Sequence, residues 1–583
     1  VKLLLVLASP EYLRFFDTTV TLLAERGHQI HVVFDEAAEY KPVGLGGAGA
    51  LPLASVTVVP AARTFWSDTA FAYRAVVDFL RFLHPDFAYA RVLRERMRRK
   101  VLPAACQGLD RIRGLPAAVL KAWLAALRFG EGALPVDARV RQTLATLSPD
   151  LVVVSPLVDA ASPQVDWIKG AQRAGIRSAV AVASWDNLTN KGLMRIRPDR
   201  VFVWNDIQRR EAALYHAVPV ERVVVTGAPV FDRWFDRQPS RSREAFCRLT
   251  GLPDDLPFVL FTGSSAFIAD GQDELVFVRK WIQALRSSAD EGVRRLRVLV
   301  RPHPYNTEAW STADLGEPDA AVWPRGPFNP AGEEGRRDLF DSLYHAAAVV
   351  GINTSAMIEA AIVGRPVLTI SEFATQQGTL HFQYLLRQNG GPVIHGASLG
   401  IHLEQLAGVL GQPPTVAPSP GAEALHPLRS DPDPIGEFVQ SFVRPHGLFE
   451  ASTPRLARAI EEAAALPVRR RSDAPAIVFL RPALAAFGVW VALVARLTGP
   501  DPLVPLRKQV LHPVRVVRRR AERRFGLMSE RSVRSVRLAG NRLRRANHVV
   551  RAGTRRLPTV WKRWRRALRH ARYTAGMWRR GES

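Results

Sequence analysis

The sequence predicts an α/β protein built from two doubly wound domains that face a cleft, followed by a basic helical tail. Three observations lead there. Short apolar runs recur in two series, separated by segments of helix or loop length, the pattern of strands buried on both faces of a parallel sheet. Between the series, residues 237–257 are polar and carry no strand pattern. After Val468 the composition shifts towards arginine.

A chain of 583 residues exceeds one hydrophobic core, and about 150 residues per domain gives two to four units. The expected division is 1–236, with a helical insertion at about 61–148, then 237–467 and a tail at 468–583. Apolar residues at 47% and charged residues at 23% suit a globular enzyme and exclude a largely disordered chain.

In the first domain, Lys2–Leu7 reads as a buried strand. A polar turn at Ser9–Glu11 leads into a helix that stops at Arg26-Gly27-His28, and Ile30–Phe34 is the next strand. This is a βαβ unit, and ligands of such sheets bind at the carboxyl ends of strands, which is where Ser9–Glu11 falls. The aromatics Phe65, Trp66, Phe71, Tyr73, Phe79, Phe82, Phe87 and Tyr89 then precede a basic helical run, Arg91–Lys100. Two readings fit: helices with an aromatic core face and a solvated basic face, or a membrane or lipid-acceptor surface. Strands resume at Leu151–Val154, Ser178–Ala183, Arg200–Trp204 and Arg222–Thr226. The second series runs through Pro257–Thr262, Leu296–Arg301, Ala347–Ile352 and Pro366–Ile370.

Of the formal charge of +26, residues 501–583 supply +21, from 25 Lys or Arg against 4 Asp or Glu. The body is therefore nearly balanced, and the tail is expected to seek an anionic membrane surface. Nucleic-acid binding through runs such as Trp561-Lys562-Arg563-Trp564 is the competing reading, and no recognisable nucleic-acid motif accompanies it. The 14-residue apolar run Pro482–Ala495 is shorter than the roughly 20 residues that span a bilayer, so a core, interfacial or re-entrant helix is expected. Cys106 and Cys247 lie far apart with no companion ligands, which supports neither a disulfide framework nor a zinc site. The opening apolar run is too short for a signal-peptide core. The expected location is cytoplasmic, peripheral on the inner face of the membrane.

Chemistry concentrates in two stretches. Residues 346–370 read as a buried strand, the polar turn Asn353-Thr354-Ser355, an apolar helix from Ala356 to Val363, a stop at Gly364 and a second strand. The turn offers hydroxyls and backbone N–H groups at a helix start, which suits a phosphate. Glu359, four residues after Ser355 on the same face, could take a ribose diol. Capping by Asn353 or Thr354 with Glu359 in solvent is the plainer alternative. The second stretch is a strand ending in Arg301-Pro302-His303-Pro304, whose prolines hold His303 extended as a phosphate donor or acid/base beside a fixed charge at Arg301.

The Arg-x-His-Pro strand end is followed some fifty residues later by a strand, a Thr-Ser turn, a helix with one Glu and a Gly-x-Pro step. This set resembles the C-terminal domain of the GT-B superfamily, two Rossmann-like domains around a cleft. The similarity covers about residues 1–467 and is strongest to the CDP-glycerol glycerophosphotransferase, UDP-N-acetylglucosamine 2-epimerase and capsule glycosyltransferase branches. The resemblance implies that Ser355, with Thr354, holds the donor diphosphate, that Glu359 takes the ribose, and that His303 lies near the phosphate or the reaction centre. It also implies an enzyme that works without an essential metal or cofactor. Thr-Ser-Ala stands here where epimerases have Ser-Gly-Gly, and Glu359 is alone where they usually have two acids, which favours group transfer over epimerisation.

Further candidates sit at other strand ends. Asp186 is the first choice for a base that deprotonates an acceptor hydroxyl, and Glu11 the second. Trp185, Asn187, Lys191 and His381 are expected to face acceptor or cleft, and Gly263 and Ser264 the donor diphosphate. The expected partners are a nucleotide-sugar or nucleotide-polyol donor, a polysaccharide or lipid-linked acceptor, and an anionic membrane. The expected activity is transfer of a sugar or glycerol-phosphate unit to an envelope or capsule acceptor. Epimerisation, nucleic-acid binding and a non-catalytic scaffold are the alternatives.

Overall fold

The continuous apolar runs become the strands of two parallel sheets. The computed structural model describes residues 1–35, 53, 55–59, 64–88, 90–112, 114–265, 268–269, 271–304, 306–326, 328, 330, 332–371, 380–411, 434–468 and 479–498. Arg469–Arg471 and the basic residues 501–583 lie outside them.

The first sheet comprises β1 (Lys2–Leu7), β2 (Gln29–Phe34), β3 (Ser55–Val58), β4 (Leu151–Ser155), β5 (Arg177–Ala181), β6 (Arg200–Val203) and β7 (Val223–Val225). Its order is β3-β2-β1-β4-β5-β6-β7, the doubly wound order in which the strand sequence reverses beside β1. The register is direct: Leu3 pairs with Ile30 on one side and Leu151 on the other. Alternate residues of β1 enter opposite cores, Leu4 and Val6 one, Leu3, Leu5 and Leu7 the other, so both faces are buried. Helix α1 (Asp17–Glu25) turns back at Gly27, whose φ of +83° only glycine adopts without strain.

The second sheet comprises β8 (Phe258–Thr262), β9 (Arg297–Arg301), β10 (Ala320–Val322), β11 (Ala348–Gly351), β12 (Val367–Ile370) and β13 (Val393–Gly396), in the order β10-β9-β8-β11-β12-β13. Every pairing in both sheets is parallel. Two doubly wound sheets around a cleft make the GT-B arrangement.

The insertion includes α2 (Phe65–Arg81), α3 (Arg91–Lys100), a 3-10 segment at Ala104–Arg111 and α4 (Ala117–Ala133), with a further helix at Ala138–Leu147 leading back to β4. A reciprocal capping box between Thr64 and Ser67 starts α2. Buried charge ties the insertion to the sheet. Arg74 on α2 pairs with Glu131 on α4 at 2.8 Å and with Asp166 at 2.6 Å; Lys169 meets Glu131 at 3.1 Å, and Arg195 meets Asp78 at 2.6 Å. Burial pushes the Glu131 carboxyl up, but Arg74, Lys169 and Arg195 overcome it and bring it down to about 2.

Two helices lie on the first domain although sequence groups them with the second domain and the tail. α5 (Ser452–Ala464) places Leu456, Ala459 and Ile460 in one core with Leu3 and Leu5. Asp232 fixes the crossing, accepting from the backbone N–H of Ser452 at 2.9 Å and Thr453 at 2.7 Å, with Arg444 at 3.1 Å. The apolar run at Pro482–Ala495 belongs to an 18-residue helix, α6 (Arg481–Thr498), which packs Leu484 and Phe487 against Tyr73 and Val77.

Replacing Glu131 with Ala leaves three buried cations, Arg74, Lys169 and Arg195, with only Asp166 and Asp78 as acid partners, and breaking a buried pair costs about 3–5 kcal/mol. The expected result is a melting temperature several degrees lower, with the helical insertion becoming the first region open to proteolysis. An unchanged melting curve would mean that apolar packing alone holds the insertion. In the native protein this contribution is present above the ordinary carboxyl pKa of 4.5 and is lost as pH falls towards 2.

Candidate active site

The carboxyl ends of β8, β9 and β11 face the loops after β1 and β5 across a cavity of ≈ 250 Å³. The second-domain wall carries Gly263, Arg301, His303, Thr354, Ser355 and Glu359. Arg14, Asp17, Ser184, Trp185 and Trp204 line the opposite side.

Arg301 ends β9 with its side chain buried. Its guanidinium donates to Ser342 Oγ at 3.2 Å and Gly335 O at 3.4 Å and lies over the Phe328 ring at 5.4 Å. Burial lowers its pKa to about 10 against the opposing pull of Asp338 and Glu359. The prolines at 302 and 304 project His303 into the cleft. Burial, reinforced by Arg14, lowers that imidazole to about 4, so at neutral pH it is uncharged. Both roles expected for His303 fit a neutral ring, which donates one hydrogen bond, as to a phosphate, and can accept one proton, as an acid/base does.

Gly263 is held by proximity. Its N–H donates to Arg301 O at 2.8 Å, and a Cβ there would lie 2.8 Å from His303 N and 3.2 Å from Arg301 O. Ser264 is fully buried and points away from the cavity; its N–H donates to Glu274 at 2.7 Å, and burial raises that carboxyl to about 7. Ser264 therefore anchors the loop, and Gly263 forms the wall.

After β11 the chain turns into α7 (Ala356–Ile362). The Ser355 side chain makes no capping bond and faces the cleft, Thr354 Oγ1 accepts from Ala356 N at 3.4 Å, and Asn353 is buried behind them. Glu359 lines the cavity rather than facing bulk solvent. Burial raises its carboxyl to about 7, with Arg14 and Arg301 pulling the other way.

The first-domain loop after β5 differs from expectation. Trp185 lines the cleft, but Asp186 does not. Its carboxylate accepts from Ser184 Oγ at 2.7 Å and Asn190 Nδ2 at 3.0 Å. Burial pushes its pKa up, yet His381, Lys191 and those bonds bring it below the ordinary range. Asn187 Oδ1 accepts from the N–H of Ala183 and Ser184 at 3.2 and 3.1 Å. Lys191 pairs with Asp159 at 2.7 Å and donates to Tyr12 at 3.1 Å. His381 is buried edge-on to Trp185 at 4.5 Å, and burial lowers it to about 4. Asp186, Asn187 and Lys191 thus spend their bonding capacity shaping the loop, with His381 buttressing Trp185. Glu11 is exposed on the segment Pro10–Phe15 and absent from the wall.

Sequence reasoning missed the cationic half of the site. Arg14, Arg233, Arg237 and Arg336 all line the cleft with Arg301. Asp17 pairs with Arg233 at 2.8 Å and with Arg336 at 3.5 Å, and Glu333 holds Arg237 at 3.1 Å. Arg14 was within reach of inspection, since it follows the Ser9–Glu11 turn already placed at the cleft. The others carry no local signal. Among the described residues, no group of three His, Cys, Asp or Glu is placed to hold a metal ion.

No known family profile matches the chain, and no curated protein does. Among solved structures, a UDP-GlcNAc 2-epimerase from Methanocaldococcus jannaschii is 12% identical at a TM-score of 0.40, covering 71% of this chain and 94% of that one. WaaG, a glycosyltransferase involved in lipopolysaccharide biosynthesis, is 15% identical at 0.41, covering 79% and 99%. A putative UDP-N-acetylglucosamine 2-epimerase from Listeria monocytogenes is 11% identical at 0.44, covering 81% and 99%. Similarity at this level bears on neither substrate nor reaction.

Gly263→Ala forces the ends of β8 and β9 apart. Overpacking of this kind costs about 1–3 kcal/mol, so the variant is expected to melt lower than the parent and to lose part of any stabilisation by bound nucleotide. A variant that melts and binds like the parent would show that the two loops need not touch.

Proposed function

We propose that the protein is a transferase that moves a sugar or glycerol-phosphate unit from a nucleotide-activated donor to a cell-envelope or capsule acceptor, a polysaccharide or lipid-linked glycan, on the cytoplasmic side of the membrane. The supporting observation is the charge and shape of the cleft. Five arginines face Asp17 and Glu359, with Trp185, Trp204 and Trp234 beside them. Such a cavity suits a flat base joined to a polyanion.

In this reading Ser355 and Thr354 bond the donor phosphates, and Glu359 accepts from the ribose hydroxyls. For a sugar unit, an acceptor hydroxyl attacks the anomeric carbon while its proton passes to neutral His303. The bond from that carbon to the phosphate oxygen breaks, and the diphosphate leaves with the electron pair among the arginines. Preorganised cations are most effective where charge develops, here on the leaving oxygen. Those guanidiniums supply the positive charge, so turnover is expected to persist in EDTA.

Thermal unfolding of the full chain with UDP, CDP, GDP or ADP tests the donor site. A ligand at a hundred times its Kd stabilises the native state by about 2.7 kcal/mol. One nucleotide is expected to protect, with affinity rising as pH is raised through about 7, because the carboxylate form of Glu359 accepts the ribose bonds. His303, near 4, is neutral throughout that window. Glu359→Gln is expected to bind more weakly and to keep only the pH dependence of the diphosphate's own last ionisation, at about pH 6–7. Protection by none of the four, or an unaltered pH profile in the variant, would remove the ribose assignment. Release of free nucleotide only with acceptor present distinguishes transfer from epimerisation of the donor.

A further inference from the structure

Away from the cleft, α2, α4 and α6 form one helical unit. Tyr73 meets Phe487 edge to face at 6.4 Å, and Arg481 Nε donates to Ala133 O at 3.1 Å. A Cβ at Gly488 would run into the Thr69 hydroxyl. One side of α6 is thereby fixed along α2. The helix also packs on the 3-10 segment Ala104–Arg111 through Phe487, yet Trp490, Leu493 and Leu497 stay 45%, 52% and 68% exposed, and on the helices of the same unit so do Phe65 at 46% on α2 and Trp123 at 43% and Phe129 at 49% on α4. Of the nineteen large apolar side chains exposed among the described residues, ten lie on these helices and the turn that leads into α6. Exposed apolar side chains on a soluble protein are usually scattered, and a grouping of this kind marks a contact surface.

Charge identifies what covers it. The chain that continues from α6 carries 25 Lys or Arg against 4 acids between 501 and 583. On the insertion, α3 carries six basic residues against Glu95. Exposed aromatic and aliphatic side chains in a chain that also carries these cations suit the headgroup zone of an anionic bilayer, where Trp rings sit at the interface and Lys and Arg meet lipid phosphates. We propose that α2, α4 and α6 dock flat on an anionic membrane, with α3 and the basic residues after α6 adding electrostatic attraction.

The flat orientation follows from the packing. By length and composition α6 could cross a bilayer. To do so it would have to leave Leu484 and Gly488, both buried, and break the Arg481 bond. It would also strip a cover from α2, whose Arg74, Asp78 and Arg81 are buried in the charge network beneath. This inference is independent of the donor assignment.

The test is flotation of the full chain with vesicles of phosphatidylcholine alone and of phosphatidylcholine with phosphatidylglycerol, for the parent and for a Trp490→Glu/Leu493→Glu variant. Both replaced side chains are exposed, so the variant is expected to melt like the parent. The parent is expected to float with the anionic vesicles, to be released by alkaline carbonate, and to bind less at high salt. The variant's partitioning is expected to fall about tenfold or more, since interfacial binding scales with the apolar area buried. A variant that melts and floats like the parent overturns the proposal. So does resistance to carbonate, which would mean a spanning helix. Two further results also overturn it: a dimer that the substitutions dissociate while vesicle binding is unchanged, and flotation abolished by added RNA but untouched by the substitutions.

Discussion

Parallel strands constrain everything else in this protein. In a parallel sheet all strands end on the same edge, so a residue just past a strand is delivered to that edge whatever its place in the chain. Thirteen parallel strands among the described residues, in two sheets, therefore gather Arg14, Trp185, Gly263, His303 and Ser355 from distant parts of the chain around one cavity. The cleft follows from setting two such edges face to face. Its two sides share a buried core, in which Trp185, Trp204 and Phe231 pack with Phe382, Leu385 and Phe442, and polar groups also join them. Asp17 on the first sheet's leading helix meets Arg336 from the second domain and Arg233 from the connection, and Asp232 ties the returning chain at Ser452 and Thr453.

The same constraint explains what was legible in the sequence. Interior strands are buried on both faces, so they read as unbroken apolar runs, and their predicted ends lie within two residues of the observed ones. Three strands went unnamed: Ser55–Val58, Ala320–Val322 and Val393–Gly396. All three are sheet edges, short and with half or more of their residues partly exposed. An edge strand needs only one apolar neighbour, so its sequence carries half the signal.

Within the site, legibility followed a different rule. His303, Arg301, Gly263, Thr354, Ser355 and Glu359 were found because strand ends mark position and the prolines and the apolar helix mark contrast. The loop after β5 has the same placement, yet Asp186 and Asn187 are consumed locally by Ser184, Asn190 and the backbone of Ala183. Short polar side chains in turns bond their own neighbours first, and sequence does not distinguish a turn-forming Asp from a cleft-facing one. The opposite error concerns arginine. In a chain this rich in the residue, Arg233, Arg237 and Arg336 look like solvated surface, and only the facing of the domains brings them to the cavity.

The electrostatics of the cleft follow from burial. Desolvation acts on three groups there in the same sense, disfavouring charge: His303 falls to about 4, Glu359 rises to about 7 and Arg301 falls to about 10. The guanidiniums start so far above neutrality that they remain charged, whereas the imidazole is neutral and the carboxyl is divided between its two forms near pH 7. The wall thus keeps an excess of cation, offset in part by Asp17, Glu333, Asp338 and part of Glu359. A diphosphate carrying roughly two to three negative charges would meet that excess and in turn favour protonated His303, because added negative charge raises an imidazole's pKa. Proton uptake by His303 and departure of a charged leaving group would therefore assist each other. This coupling requires no change in the fold, only the arrival of the anion.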